Sequence, residues 1–562
     1  MQQKYLIAVI VFALFVRLIL LDYPALIDPT EGRYAYIAQE MVISGDWVTP
    51  KIPYSGTTIP YLGKPPLHFW ATALSFELFG MHAWSARLPS FLALLIICFC
   101  IWTIGKYYLD RGKSLGAMII LISSGMGFIT SGSVIVDLTL TAGISLAVTG
   151  YLVWKKTLLE RWGILIFLGL TCGFLIKGPV AVALFVIPVL VAEYPFNRER
   201  LNAPNGIFKW PWLKGVLLGL AITVPWFVIS EIQNPGFIKY FFLNENVLRF
   251  LVTDYGDKYG TGHQYPYASA WGMFAFGFLP WTPLLLILAY FNRRNLRTSL
   301  KYFYQNEQFE ARFLSAWMLT PLFVFTFSKQ LHLGYVVPAL PGAALLLSTY
   351  WDQLSFSSIN ISYRYFGLVI CAIGLLFFFL GLVGWTSATL VYLSFFPAVG
   401  LIYACYKSVR NYECDVSFIA IFGLATVCVA GLSVTTFAGI ISERTSTLPI
   451  LECRSRDRLD AHPAVTVFGG SNFSALFYSR SDELVRPVLV TVMDNMMEDL
   501  RKTDDIILRK SKMKWTPKIV LERFRTVSKI GRWVWLHRKT VPLEIDDCKE
   551  NRPFVFELLG ID

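Results

Sequence analysis

Thirteen apolar stretches suited to membrane-spanning helices leave this chain little choice of fold. They begin near residues 5, 86, 114, 136, 162, 179, 213, 268, 312, 335, 364, 387 and 417. In hydrocarbon, each backbone N–H and C=O must be satisfied within its own segment, so such stretches fold as helices. Composition agrees, with 55% of the 562 residues hydrophobic and only 16% charged. The mean hydropathy is +0.53, and a soluble chain of this length carries more charge. Several stretches are short or divided by Gly-Pro, as at "IKGPV". Residues 5–21 have the length of a signal peptide, but Arg17 interrupts them and no small-residue cleavage site follows. They read as a retained first helix.

The connecting segments sort by charge. "GKYYLDRGK", "WKKTLLERW", "NRERLNAPNGIFKWPWLK", "NRRNLRTSLK" and "YKSVRNYE" follow spans 2, 4, 6, 8 and 12 and are rich in Lys and Arg. The positive-inside rule makes them cytoplasmic, together with the N-terminus. The formal net charge of +12 is explained by these loops and by anionic lipid headgroups, without nucleic acid. The opposite side receives loops 22–85 and 231–267, the "SKQLHLG" turn, and everything beyond about residue 440. Residues 1–440 thus read as a transmembrane domain of about thirteen helices, and residues 441–562 as a small soluble α/β domain outside the membrane. In that domain "AVTVFGG", "PVLVTVM", "DIILRK" and "RWVWLHRK" read as strands, and "NFSALFYSR" and "PKIVLERFRTVSK" as helices.

Six of the nine cysteines lie in apolar runs and read as small core residues. Cys453 and Cys548 stand near the two ends of the polar C-terminal region. In an oxidising compartment they either close a disulfide that ties the chain end to the domain base, or stay two thiols that never meet. No Cys or His pair has metal-ligand spacing.

Charged groups at membrane depth are costly, so their positions carry information. The outer side collects Asp28, Glu31, Arg33, Lys64, Asp137, Lys177, Glu245, Arg249, Lys329 and His332 from different loops and span ends. Any one of them alone reads as a solvated rim residue. Asp137 and Lys177 resist that reading, because each stands at the end of an apolar helix, where desolvation requires a partner or a ligand. "GKPPLHFW", "IKGPVAV" and "SKQLHLGYVVPALP" each place a lysine at a helix mouth beside Gly or Pro. With Arg249 in "NENVLRF", these lysines suit a phosphate or diphosphate. Carboxylates beside them suit activation of a sugar or an acceptor.

The pattern "DPTEGRYAYIAQEM" (28–41), "SGDWVTP" (44–50) and "KPPLHFWATAL" (64–74) resembles the first outer loop of GT-C membrane glycosyltransferases. So do "GFLIKGP" (173–179), "NENVLRF" (244–250), "GFLPWT" (277–282) and "SKQLHLGYVVPALP" (328–341). Within that superfamily the chain is most similar to the ArnT-like branch, the polyprenyl-phosphate aminoarabinose–lipid A transferases, which are related to protein O-mannosyltransferases. The resemblance implies a polytopic helical GT-C fold with a C-terminal periplasmic domain, in the bacterial inner membrane. It also implies transfer of a sugar from an undecaprenyl phosphate carrier to lipid A or another envelope glycan.

By the same resemblance Asp28 is the loop aspartate that serves as base or electrostatic organiser. Asp137 is a second acidic position, with Glu31 grouped beside them as catalytic. Lys64, Lys177, Arg249, Tyr335 and Lys329 are expected at the carrier phosphate, and Arg33, Tyr34, Glu245 and His332 at the substrate. A hydroxyl acceptor loses a proton as it attacks and benefits from a base, whereas a lipid A phosphate is already ionised. Relatives of the aminoarabinose type carry a glutamate and a histidine, associated with a bound metal, where this chain has Gly63 and the Asn244–Asn246 segment. No cofactor is therefore expected, and the donor sugar stays open. His68, His263 and His332 read as polar rim residues rather than ligands. The enzyme is read as a monomer.

Two alternatives remain. The acceptor is instead a protein Ser or Thr hydroxyl, or the chain is a lipid or solute transporter. A transporter is disfavoured because no inverted repeat is visible and the charges gather at one rim.

Overall fold

The computed structural model describes residues 2–54, 57–194, 203–252, 263–290, 309–351, 417–455, 465–468, 473–481, 488–491, 505–516, 518–530 and 532–540. Eleven of the expected apolar stretches fall on described residues, and each is helical. Those beginning near 364 and 387 lie outside the described residues, as does Cys548, and the Cys453 side chain is likewise not described. The pairing of these two cysteines therefore has no structural account.

The first helix, α1 (Gln2–Ile19), leads into a segment that holds α2 (Thr30–Ser44), the antiparallel hairpin β1 (Lys51–Tyr54)–β2 (Thr57–Pro60), and α3 (Leu67–Phe79). The long helices α4 (Ala83–Tyr108), α5 (Arg111–Ser123), α6 (Val136–Thr157), α7 (Glu160–Lys177), α8 (Pro179–Glu193) and α9 (Trp212–Gln233) follow. Among the described residues four helices are long and apolar enough to cross a membrane, and a bent pair, Ser269–Gly277 with Thr282–Tyr290, would make a fifth. On α9 the exposed face is Leu213, Leu217, Leu220, Val224, Val228 and Ile232. A helix this apolar on its open side is suited to lipid.

α6 and α7 pack most closely, because glycine lines their seam. A Cβ on Gly169 would lie 2.4 Å from the Ala147 nitrogen, and one on Gly143 would lie 2.9 Å from the Gly173 nitrogen. Small residues let the two backbones approach, as membrane helix pairs require. The close pairing sets the start of α6 beside the end of α7, which fixes Asp137 next to Lys177.

Toward the C-terminus, α10 (Ser417–Thr445) is followed by the helix Leu448–Ser455 and a five-stranded sheet. Its strands are β3 (Val465–Phe468), β4 (Val488–Thr491), β5 (Asp505–Arg509), β6 (Phe524–Ile530) and β7 (Trp533–Arg538), in the order β4-β3-β5-β7-β6. β3 pairs in parallel with β4 and β5, while β7 is antiparallel to β5 and β6. The expected strands appear as such, and α11 (Phe473–Ser481) occupies the expected "NFSALFYSR" helix. One expectation is corrected. "PKIVLERFRTVSK" is helical only over Lys518–Arg523, and its second half is β6. A register irregularity between Thr526 and Ser528 breaks the alternation of buried and exposed positions, and so hides the period of two by which a strand is recognised.

Candidate active site

The two ends of the α6–α7 pair open into a cleft of about 210 Å³. Lys177, in the last turn of α7, donates to Asp137 in the first turn of α6 at 2.5 Å. Both are buried, and each sits where the helix dipole favours its charge. The Lys177 ammonium also lies 3.8 Å from the centre of the Tyr335 ring, a cation–π contact.

Glu245 lies opposite, on a π-helical stretch, Tyr240–Leu248, that follows α9. One of its oxygens accepts from Lys64, and the other accepts from Arg249 at 2.8 Å. Lys64 also donates to the Gly63 carbonyl at 2.8 Å, and Arg249 donates through Nε to Gln330 at 3.2 Å. Burial opposes ionisation of Lys64 and Glu245, but their mutual attraction outweighs it. Lys64 is held above its ordinary range and Glu245 below it.

Arg33, on the second turn of α2, completes the cationic set. Its guanidinium lies over the rings of Tyr34 and Tyr61 at 5.4 and 5.5 Å and makes no ion pair with a described residue. The cleft is thus lined by four cations (Arg33, Lys64, Lys177, Arg249) and two carboxylates (Asp137, Glu245). His332 also lines the cleft, and its Nδ1 accepts the Gly334 N–H at 3.2 Å. Burial lowers its pKa, although Asp137, 4.0 Å away, opposes the shift.

The remaining expected site residues lie elsewhere. Lys329 does not line the cleft; its ammonium sits over Tyr267 at 4.9 Å. Neither Asp28 nor Glu31 lines it, although Pro29 and Thr30 between them do. Glu31 is enclosed by four donors, namely Arg87 Nε and Nη2 and the N–H groups of Ile27 and Val134, all at 2.8–2.9 Å.

Asp28 faces α11, where it accepts from the Ser474 N–H at 3.0 Å and from the Ser474 hydroxyl at 2.5 Å. Burial pushes its pKa up to about 7, against the pull of the Ser474 bonds. Nearby, Tyr478 accepts the Leu26 N–H at 2.8 Å, and Gln39 donates to the Phe477 carbonyl at 3.1 Å. α11 is therefore docked on α2 through the loop that carries Asp28. A Cβ on Gly32 would lie 2.5 Å from Asp28 Oδ1 and 2.9 Å from the Ser474 nitrogen. Gly32→Ala is expected to pry this contact apart, at a cost of about 1–3 kcal/mol. An unchanged Tm would refute that packing.

Sequence reasoning missed Tyr61 and Gln330 in the cleft wall, and Ser474 and Arg87 behind it. Tyr61 stands two residues before the Gly63–Lys64 pair, and Gln330 within "SKQLHLGY". Neither carries a charge that would have marked it.

The positions associated with a metal in the resembling family do not fit one here. Gly63 has no donor side chain, both Glu245 oxygens are engaged, and the Asn246 amide donates to the Phe241 carbonyl at 2.7 Å. Among the described residues no three His, Cys, Asp or Glu side chains gather in a metal-binding group.

Known proteins share this fold. ArnT from Cupriavidus metallidurans, solved bound to undecaprenyl phosphate, superimposes with a TM-score of 0.71 over 95% of this chain and 98% of its own, at 19% identity. The chain has the GT-C fold of ArnT. The apo form of that protein aligns with a TM-score of 0.68. Residues 63–229 match the family model described as dolichyl-phosphate-mannose-protein mannosyltransferase. The undecaprenyl phosphate-α-4-amino-4-deoxy-L-arabinose arabinosyl transferase of Aeromonas hydrophila is 28% identical over 60% of this chain and 58% of its own length. Its counterpart in Aeromonas salmonicida is 30% identical over 60% and 58%. The chain thus spans under two thirds of the length of these curated relatives. Likeness to ArnT covers the fold throughout, and likeness in sequence is confined to part of the chain.

Proposed function

We propose that this protein is a glycosyltransferase of the bacterial inner membrane that moves a sugar from a polyprenyl-phosphate carrier to lipid A or another envelope glycan. The observation that carries the reading is the excess of cations in the cleft, four against two carboxylates, with Arg33 unpaired among the described residues. A buried cationic excess is stable only with an anion to meet it, and a lipid phosphate supplies one. The arabinosyl transferases it resembles, and the ArnT structure with undecaprenyl phosphate, support the same donor class. Lys/Arg-rich loops support a cytoplasmic N-terminus, and residues 441–562 form a periplasmic domain in this reading.

In the reaction the acceptor oxygen attacks the anomeric carbon. The bond from that carbon to the phosphate oxygen breaks, and the carrier phosphate leaves with both electrons. Lys64 and Arg249 stabilise the charge that develops on it, the largest catalytic term such a site supplies. Asp137, held by Lys177, lines the cleft and steadies the positive charge on the sugar. A lipid A phosphate needs no base. A hydroxyl acceptor would need one, and Asp28 reaches it only by leaving Ser474.

The test is mass spectrometry of lipid A from cells with and without the gene, complemented with wild type or Lys64→Ala. One sugar-sized increment should vanish on deletion and return with wild type, and Lys64→Ala should restore less than about a hundredth of it. Unchanged lipid A would exclude it as the acceptor and direct the search to other envelope glycans and to protein hydroxyls.

A further inference from the structure

Glu245 stands among the cations expected to meet the carrier phosphate, and that placement needs a reason. A carboxylate there competes with the ligand. Its side chain is only 5% exposed, with each oxygen already on a cation, Lys64 on one side and Arg249 on the other. Neither cation is used up. An ammonium has three donors, and among the described residues Lys64 spends two, on Glu245 and the Gly63 carbonyl. A guanidinium has five N–H donors, and among the described residues Arg249 spends two, on Glu245 and Gln330. A phosphate can bind the remaining donors while Glu245 stays in place behind them. The pair then presents a charge of +1 instead of +2.

That difference separates donor from product. A sugar phosphodiester carries one negative charge. The carrier monoester released by transfer carries two above about pH 6. We propose that Glu245 is a resident counter-anion that brings the Lys64–Arg249 pair to the charge of the monoanionic phosphodiester and weakens its hold on the dianionic monoester, so that spent carrier is released. The inference rests on the proposed carrier-phosphate reading and deepens it. Repulsion from a fixed carboxylate scales with the charge on the ligand. Its removal therefore improves dianion binding by twice the logarithmic gain seen for a monoanion.

The experiment measures binding of undecaprenyl phosphate and undecaprenyl methyl phosphate to the full-length chain in lipid nanodiscs at pH 8, for wild type and Glu245→Gln. Wild type should bind the monoester no more tightly than the diester. Glu245→Gln should gain about tenfold for the diester and about a hundredfold for the monoester. Equal gains for the two lipids, or no gain, would overturn the proposal, since a carboxylate displaced by either ligand costs both the same. If the variant fails to fold, wild type still decides, because a tenfold preference for the monoester would overturn it too. Binding of neither lipid by wild type would instead refute the carrier-phosphate reading beneath it.

Discussion

Asp137→Leu is expected to cost about 3–5 kcal/mol of stability and to abolish transfer, because it leaves the Lys177 ammonium buried without a carboxylate. Lys177 is only 8% exposed and Asp137 3%, so water cannot take over the lost contact. The Tyr335 ring, 3.8 Å from the ammonium, returns about 1–2 kcal/mol at most. Lys177→Met should do comparable damage by stranding Asp137. The double variant Asp137→Leu/Lys177→Met removes both charges, and it should recover most of the lost stability while transfer stays absent. Thermal unfolding in detergent and a transfer assay on the same preparations separate the two effects. A single variant as stable as wild type would show that the pair does not hold these helix ends together. Full transfer by the double variant would remove Asp137 from the reaction.

The described apolar helices and their order were legible because burial in lipid forces long apolar runs, and such runs survive in a single sequence. Lys64 and Lys177 were legible as cations stranded at helix mouths beside Gly and Pro, a signal shared by Lys329, which does not line the cleft; Arg249 was legible only as an outer-loop cation in "NENVLRF". The direction of each carboxylate was not. Asp28 and Glu31 are three residues apart, a spacing that suggests a shared helix face, yet they point to different partners. Asp28 lies before the first residue of α2 and meets Ser474, 446 residues away in the chain. Glu31 meets Arg87, which the sequence shows only as one charge near the start of an apolar run. Long-range pairs of this kind leave no local pattern. The edge strand β6 was hidden for a different reason, its irregular register against β7.

Glu31 separates a catalytic from an architectural reading most sharply. Its carboxylate takes a bidentate pair from Arg87, while Arg87 Nη1 donates to the carbonyls of Leu21 and Pro24 at 2.8 and 2.7 Å. One ion pair thus ties the exit of α1 and the start of α2 to α4. Burial alone would raise the Glu31 pKa; Arg87 and the two backbone N–H groups outweigh it and hold it below the ordinary value of 4.5. A depressed folded-state pKa contributes stability that is present above the unfolded value and lost as pH falls through the folded one. The clamp should therefore hold at neutral pH and weaken only in acid well below pH 4.5. Glu31→Gln places an NH₂ group where two donors already point, and the expected loss is about 3–5 kcal/mol. Glu31→Leu/Arg87→Met should be more stable than Glu31→Gln, since neither charge is then left alone. If Glu31→Gln instead unfolds at the wild-type temperature and has lost transfer, the carboxylate belongs to the chemistry and the clamp reading fails.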